Sequence, residues 1–269
     1  MQDQGLPHSS DDVDQIKAYN QEAWNLSVRS ENRWTVPVSP EEVEKARQGS
    51  LKIVLTPKKT IPDSWLSPVK GKKILALASG GGQQAPLLAA AGAQVTVLDL
   101  SDQQLEQDRK VAEREGLSLE LIQGAADHMP MLEDQSFDLI INPVSNCFFP
   151  NLEPVWKECA RVSKPGARLL LGFNNPVVYC FDFEKANQGE FTMKYPLPYS
   201  DLHSLSDIEK KRFMRPECPL EFSHSLTDQL GGILRAGFHI VDMYEDEFDT
   251  DEPINKFFPQ FICVNAKRV

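Results

Sequence analysis

The run Lys73-Ile74-Leu75-Ala76-Leu77-Ala78 leads into Ser79-Gly80-Gly81-Gly82, then into an Ala-rich segment after Gln84, and then into Gln94-Val95-Thr96-Val97-Leu98-Asp99. This pattern predicts a buried strand, a glycine turn, a helix, and a second strand closed by an acid. Glycines at such a turn let the backbone bend tightly and approach a ligand that a side chain would block. Asp99 lies 19 residues beyond Gly80, where a carboxylate can accept hydrogen bonds from both hydroxyls of a ribose. The unit points to an adenosine-containing cofactor. Gly80, Gly82 and Ala85 also satisfy the dinucleotide pattern G-x-G-x-x-G/A. From this unit alone, a nicotinamide enzyme and a purely structural turn both stay open.

The order of later segments separates these readings. Ser136-Phe137-Asp138-Leu139-Ile140-Ile141-Asn142-Pro143 is followed by an amphipathic helix near 152–163, and then by Lys164-Pro165-Gly166-Ala167-Arg168-Leu169-Leu170-Leu171-Gly172-Phe173. The chain closes with Leu234-Arg235-Ala236-Gly237-Phe238-His239-Ile240-Val241, an acidic stretch, and Phe261-Ile262-Cys263-Val264-Asn265-Ala266-Lys267. In these residues and their order the sequence resembles class I S-adenosylmethionine-dependent methyltransferases, over roughly residues 71–173 and 225–269. The resemblance implies an α/β fold with a Rossmann-like, doubly wound, seven-stranded sheet in the order 3-2-1-4-5-7-6, its last strand antiparallel. Residues 1–70 would form an N-terminal cap and connector, and 174–224 an inserted lid. The lid stretch carries five prolines and little periodicity, and an insertion of that length in a compact domain is more often a binding loop than padding.

A length of 269 residues suits one large domain with additions. The net charge of −11 argues against broad affinity for nucleic acid or an anionic membrane surface. The five cysteines form no C-x-x-C pair, and the five histidines show no i, i+4 spacing, so no metal site is expected. Met1 to Ser10 is polar, without the basic start and apolar core of a signal peptide, and no apolar run reaches the length of a membrane span. These features predict a cytoplasmic protein with a small-molecule substrate; the sequence leaves its oligomeric state open.

Local signals place the remaining elements. Ile16, Tyr19, Ala23 and Leu26 fall at helical spacing over 14–26. Ser39-Pro40-Glu41-Glu42 and Ser101-Asp102-Gln103-Gln104 both read as capping boxes opening helices, which Gly49 and Gly116 would end. Residues 50–70, with prolines 57, 62 and 68, predict an extended connector, and the acidic run Tyr244 to Glu252 a solvated loop between the last two strands.

The resemblance assigns candidate site residues. Ser79, Gly80, Gly81 and Gly82 would offer backbone groups to the methionine portion of the cofactor and the nearby ribose, and Asp99 would take the ribose hydroxyls. Leu100 would cover adenine, while Ala126 and Asp127 would meet it through a backbone N–H and a carboxylate; Asp127 could equally cap a helix. Asn142 and Pro143, at the carboxyl end of the fourth strand, would face the methionine ammonium. Tyr19-Asn20-Gln21-Glu22-Ala23-Trp24 is similar to a family helix that closes over the cofactor, so Tyr19 and Trp34 are cofactor candidates, aromatic faces attracting a sulfonium as they do other cations. Ser145, Asn146, Trp24 and Asn174 are substrate candidates, and no catalytic base is assigned. The chain departs from the family pattern at Ala76 and Ala78, where an acid and a glycine are usual, and at Ala125 in place of an acid. A non-catalytic cofactor-binding protein of the same fold is therefore the alternative, beside a nicotinamide-dependent oxidoreductase.

Overall fold

Strands β1 (Lys73–Leu77), β2 (Gln94–Asp99), β3 (Leu119–Gln123), β4 (Phe137–Asn142), β5 (Ser163–Asn174), β6 (Phe238–Asp246) and β7 (Phe261–Arg268) form one sheet ordered β3-β2-β1-β4-β5-β7-β6. Strands β1 to β5 pair in parallel, and β7 runs antiparallel to both β5 and β6. The computed structural model describes residues 6, 7, 9, 12–66, 68–248 and 250–269, so the polar N-terminal reading over Met1 to Ser10 lies mostly outside the described residues. The central strands are apolar on both sides because both faces are covered. Alternation along β1 divides it between two cores: Ile74 and Ala76 enter one, Leu75 and Leu77 the other.

The N-terminal segment supplies α1 (Val13–Arg29), α2 (Pro40–Arg47) and a single turn, α3 (Asp63–Leu66). At the start of α2 both arms of the capping box form: Glu42 N–H donates to Ser39 Oγ at 3.3 Å and Ser39 N–H to Glu42 Oε2 at 2.8 Å. The connector is more than an extended link, since Ile53, Leu55, Ile61, Trp65 and Leu66 are buried in the first core with Val43 and Ala46 of α2. Its proline spacing signals irregular backbone, whereas its apolar residues are drawn into the sheet face.

On that same face lie α4 (Gln84–Ala90) and α5 (Asp102–Glu115), while α6 (Glu153–Val162) packs Val155, Trp156, Cys159 and Val162 against the opposite face. The expected capping box at α5 forms only in part. Ser101 Oγ accepts from Gln104 N–H at 3.1 Å, but Ser101 N–H donates to Asp99 Oδ1 at 2.9 Å instead of to a glutamine.

Residues 174–224 hold α7 (Phe183–Asn187), α8 (Asp201–Ser204) and α9 (Asp207–Phe213) around an aromatic cluster of their own. Tyr179 and Tyr199 stack at 5.3 Å, and Phe183 lies 5.3 Å from Tyr195. Ile16 of α1 packs with Leu202, Leu220 and Phe222. The short α10 (Gly232–Arg235) then leads into β6.

The acidic run begins inside β6 rather than in a loop. Asp246 is buried, and its Oδ2 accepts the backbone N–H groups of Lys58 at 3.1 Å and Lys59 at 2.9 Å. Strand β6 extends this far because it pairs with β7 to Asp246↔Phe261, and the connector supplies donors that cover the carboxylate.

Two backbone positions show where the sheet meets the site. A Cβ on Gly172 of β5 would lie 2.1 Å from the carbonyl oxygen of Leu55, so only glycine permits the connector to pass this close. Ala78, where β1 turns into the glycine loop, has φ +45°, a left-handed conformation that disfavours a Cβ. The alanine replacing the usual glycine is thus held by its surroundings, with Ala78 N–H donating to the Leu98 carbonyl at 2.8 Å. Gly172→Ala is expected to lower stability by about 1–3 kcal/mol through overpacking, measured as a fall in the denaturant midpoint. Ala78→Gly is expected to raise that midpoint by roughly 0.5–1 kcal/mol equivalent, because relief of the left-handed Cβ clash exceeds the added chain entropy of glycine. An unchanged or lowered midpoint for Ala78→Gly would show that the strain is compensated by packing of its methyl group.

Candidate functional site

A cavity of about 300 Å³ opens at the carboxyl ends of β1, β2, β4 and β5, between the glycine loop, α1 and the inserted segment. This is the crevice beside the strand-order reversal where open α/β sheets bind ligands. Backbone hydrogen bonds and glycine packing set its shape at one end. Gly80 N–H donates to Asp99 Oδ2 at 2.9 Å, and Gly81 N–H donates to Asp108 Oδ2 at 3.0 Å. A Cβ on Gly80 would stand 2.6 Å from Cβ of Gln104 and 3.0 Å from Asp99 Oδ2.

Asp99 is aligned by two N–H donors, Gly80 on Oδ2 and Ser101 on Oδ1, and it lines the cavity. Burial raises its pKa, while the same N–H groups oppose the rise. Asp108 is fully buried on α5, and burial pushes its carboxyl well above the usual range, with the nearby Asp99 charge adding to the rise. Leu105, Asp108 and Val111 share the buried stripe of α5. That i, i+3, i+6 placement is the sequence signal by which Asp108 could have been found.

Ser79, Gly80, Asp99, Leu100, Ala126, Asp127, Pro143 and Trp34 all line the cavity, as do the expected substrate residues Ser145, Trp24 and Asn174. Gly81, Gly82, Asn142, Asn146 and Tyr19 are not among its walls. The N–H of Gly81 is taken by Asp108, and the Gly82 carbonyl accepts Val38 N–H at 2.9 Å, so both glycines are used in packing. Asn142 is buried, with Nδ2 donating to the Leu77 carbonyl at 2.9 Å and to Ser145 Oγ at 2.7 Å. Asn146 is likewise buried and donates to Gln229 Oε1 at 2.8 Å. Tyr19 turns toward the inserted segment, packing beside Leu220 and Phe222.

At the far end of β3, Asp127 Oδ2 pairs with Lys17 Nζ at 2.8 Å, and its Oδ1 is buried with no partner among the described residues. Lys17, Asn20 and Trp24 of α1 all reach the cavity and follow i, i+3, i+7 spacing, so one stripe of this helix forms its roof. Asn20 fastens that roof: its Nδ2 donates to the carbonyls of Phe148 at 3.1 Å and Leu220 at 3.2 Å, and its Oδ1 accepts Leu220 N–H at 2.7 Å. Sequence reasoning assigned roles to neither Lys17 nor Asn20. The ring of Trp24 meets Phe148 edge-on at 5.1 Å.

The opposite end is closed by residues that are far apart in sequence. Asn174 Nδ2 donates to Tyr179 Oη at 2.7 Å, and Tyr179 Oη donates to Glu221 Oε2 at 2.6 Å. Asn174 and Glu221 face the cavity. Glu221 carries no sequence motif, so only the path of the inserted segment brings it here. His224 donates its Nε2 proton to the carbonyls of Asn146 at 3.1 Å and Phe149 at 2.9 Å, and burial lowers its pKa. These bonds make it a brace for the β4 loop rather than a proton carrier.

The residues present fit an adenosyl sulfonium cofactor. Among the described residues the cavity wall near the glycine loop and the end of β3 carries the carboxylates Asp99 and Asp127 against one ammonium, Lys17, a balance that favours a cationic ligand. Asp127 Oδ1 and Gln104 Oε1 are buried acceptors still lacking donors, and both side chains lie along the cavity wall. Ala76, where the family pattern carries an acid, is buried in the first core and does not line the cavity. The glycine loop itself is held by Asp99 and Asp108.

Comparison with known proteins agrees with this geometry. A family model described as "Methyltransferase domain" matches residues 75–171. The chain is 46% identical over 244 residues to the uncharacterized methyltransferase YbaJ of Bacillus subtilis (strain 168), covering 90% of this chain and 96% of that protein. A S-adenosylmethionine-dependent methyltransferase structure from Mesorhizobium loti aligns with a TM-score of 0.58 at 20% identity, over 76% of this chain and 94% of that one. The [4+2]-cyclase SpnF aligns with a TM-score of 0.57 at 14% identity, over 93% of this chain and 96% of that one. The sheet order, the glycine loop with its acid and the extended match to YbaJ agree, and the chain belongs to the class I S-adenosylmethionine-dependent methyltransferase family.

Proposed function

We propose that this methyltransferase acts on a small, largely apolar molecule enclosed beneath the inserted segment, with Asp99 as the principal cofactor anchor. The observation that carries this reading is the single cavity running from the Asp99–Gly80 end to the Asn174–Glu221 end, roofed by α1. A cavity of about 300 Å³ is at the lower end of sizes for small-molecule sites. It suits an enclosed ligand rather than a nucleic-acid strand, and the net charge of −11 disfavours polyanions as well.

The residues divide the work by position. Asp99 would accept the ribose hydroxyls, its orientation fixed by Gly80 and Ser101 before any ligand arrives. Leu100 and Ala126 would flank adenine, and Asp127 Oδ1 would accept its amino group. Ser79 and Gly80 would meet the methionine portion, with Pro143 and Ser145 near the same end of the sheet. Trp24 and Trp34 would exclude water and present ring faces to positive charge. Gly81, Gly82 and Asn142 would support this arrangement from behind rather than touch the ligand. When bound, S-adenosylmethionine supplies an electrophilic methyl group on a good leaving sulfur, so the chain's main contribution is to orient an acceptor, an effect worth up to about 7–11 kcal/mol in well-aligned systems.

SpnF is a cyclase with this fold, and fold alone does not select a reaction. The acceptors Asp99 and Asp127 in the cavity favour cofactor binding over a degenerate member, and among the described residues one sheet closed by the antiparallel β7 gives a nicotinamide dinucleotide no second binding half. Among the described residues no helix is long and apolar enough to cross a membrane. The five cysteines, all unpaired, suit a reducing compartment, and we place the protein in the cytoplasm.

Calorimetric titration with S-adenosylmethionine, S-adenosylhomocysteine and NAD checks this reading. The first two are expected to bind saturably and NAD not at all. Asp99→Ala is expected to weaken both adenosyl ligands by about tenfold to a hundredfold or more, since a hydrogen bond to a charged group is worth roughly 1.5–3 kcal/mol. Unchanged affinity in Asp99→Ala would remove Asp99 as the anchor.

A further inference from the structure

The end of the cavity away from the glycine loop holds a carboxylate, Glu221, that the protein engages through only one of its oxygens. Glu221 faces the cavity while its backbone is fixed on both sides. Its N–H donates to Asp201 Oδ2 at 2.8 Å, its carbonyl accepts Asp201 N–H at 3.1 Å, and the next residue, Phe222, donates its N–H to the Cys147 carbonyl at 2.7 Å. Glu221 Oε2 takes the Tyr179 hydroxyl, and Oε1 has no hydrogen-bond or ion-pair partner among the described residues. Around them, Val144, Cys147, Phe148 and Phe261 give the cavity an apolar wall.

We propose that Glu221, positioned by Tyr179 and Asn174, receives the proton of the methyl acceptor, and that the acceptor is an apolar molecule bearing one hydrogen-bond-donating head, a hydroxyl or an amine. This rests on the methyltransferase reading above and names the substrate class of the same site. The carboxylate and the Asn174 carbonyl oxygen both accept hydrogen bonds, so a head that donates is matched. A carboxylate, phosphate or sulfonate head would meet Glu221 and the Asp201 behind it with no cation at this end of the cavity among the described residues. The step balances: the acceptor's O–H or N–H proton passes to an oxygen of Glu221, an electron pair of the acceptor atom forms the bond to the methyl carbon, and the methyl–sulfur bond breaks with its pair on sulfur.

The surroundings suit a group that exchanges a proton near neutrality. Burial, then the charge of Asp201, pushes the Glu221 carboxyl up to about 7, and the Tyr179 hydroxyl opposes the rise. The other titratable groups packed against it are Tyr199, which donates to Asp201 Oδ1 at 2.6 Å, and the buried Cys147 thiol; burial raises the pKa of both. Lys17, the one ammonium on the cavity wall among the described residues, is engaged with Asp127.

The test requires no known substrate. Full-length protein saturated with S-adenosylhomocysteine is treated with diisopropylcarbodiimide, a small apolar reagent that attacks protonated carboxyls, and the modified residue is mapped by peptide mass. Modification at Glu221 is expected in the wild type and absent in Glu221→Gln, with a rate that falls as pH rises through about 7. Tyr179→Phe is expected to move that midpoint up by removing a donor to the carboxylate, and Asp201→Asn to move it down by removing a like charge. p-Cresol or phenethylamine should protect Glu221 and p-toluate should not; whichever donor protects identifies the head as hydroxyl or amine. A Glu221 that is not modified, a rate flat across that pH, protection by p-toluate equal to that of the donors, or protection by neither donor would overturn the proposal. Affinity for S-adenosylhomocysteine should be equal in wild type and Glu221→Gln. Failure of the wild type to bind it would remove the methyltransferase site itself, a result distinct from any labelling outcome.

Discussion

The structure turns on how the glycine loop is held against two acids, Asp99 at the cavity wall and Asp108 buried behind it. Gly80 N–H binds Asp99 and Gly81 N–H binds Asp108, so the loop between β1 and α4 is clamped to the end of β2 and to α5. Gly80 N–H gains a carboxylate acceptor, Gly81 N–H is shared between Asp108 and the Gln104 carbonyl, and each carboxylate gains a donor that offsets part of its desolvation. The same contacts leave the cavity side of Asp99 aligned, so the interaction that stabilises the loop also forms the ligand site. Where the family pattern usually carries an acid in β1, this chain has Ala76, sealed in the core.

Around this clamp the chain is closed from both ends of the sequence. The N-terminal segment passes over the glycine loop, where Gln83 Nε2 donates to the Val36 carbonyl at 3.1 Å and Gln84 Nε2 to the Val54 carbonyl at 3.1 Å. It then crosses β5 at Gly172, close enough that a methyl group would collide with Leu55. From the other side, residues 174–224 carry their own aromatic cluster and attach to α1 through Asn20 and through Ser27 Oγ, which donates to the Glu217 carbonyl at 3.0 Å. The cavity is thus bounded by three separate parts of the chain, and its polarity follows from this. The β2 and β3 ends bring Asp99 and Asp127, and the inserted segment brings Glu221.

The expected second strand over Gln94 to Asp99 matches β2 residue for residue because it is a short β-branched, apolar run closed by an acid. The errors share one cause. In the connector 50–70 and the acidic stretch from Tyr244, local composition registers proline and charge but not the packing that buries Leu55 and Asp246. Tyr19 and Asn146 look like ligand residues from the segments that contain them, yet α1 presents Lys17, Asn20 and Trp24 to the cavity and turns Tyr19 outward to the inserted segment. A rotation of this kind is set by what the helix packs against.

By itself the sequence determined the sheet, its strand order by family pattern, the glycine loop and the acid that faces it, because these depend on short-range periodicity and on spacing within one β-α-β unit. The tertiary structure decided which side chains share the cavity. Lys17 meets Asp127 across 110 residues, and Asn174, Tyr179 and Glu221 converge through a segment without regular periodicity. Contacts of that range are fixed by burial and hydrogen-bond satisfaction over the whole chain, and no local pattern encodes them.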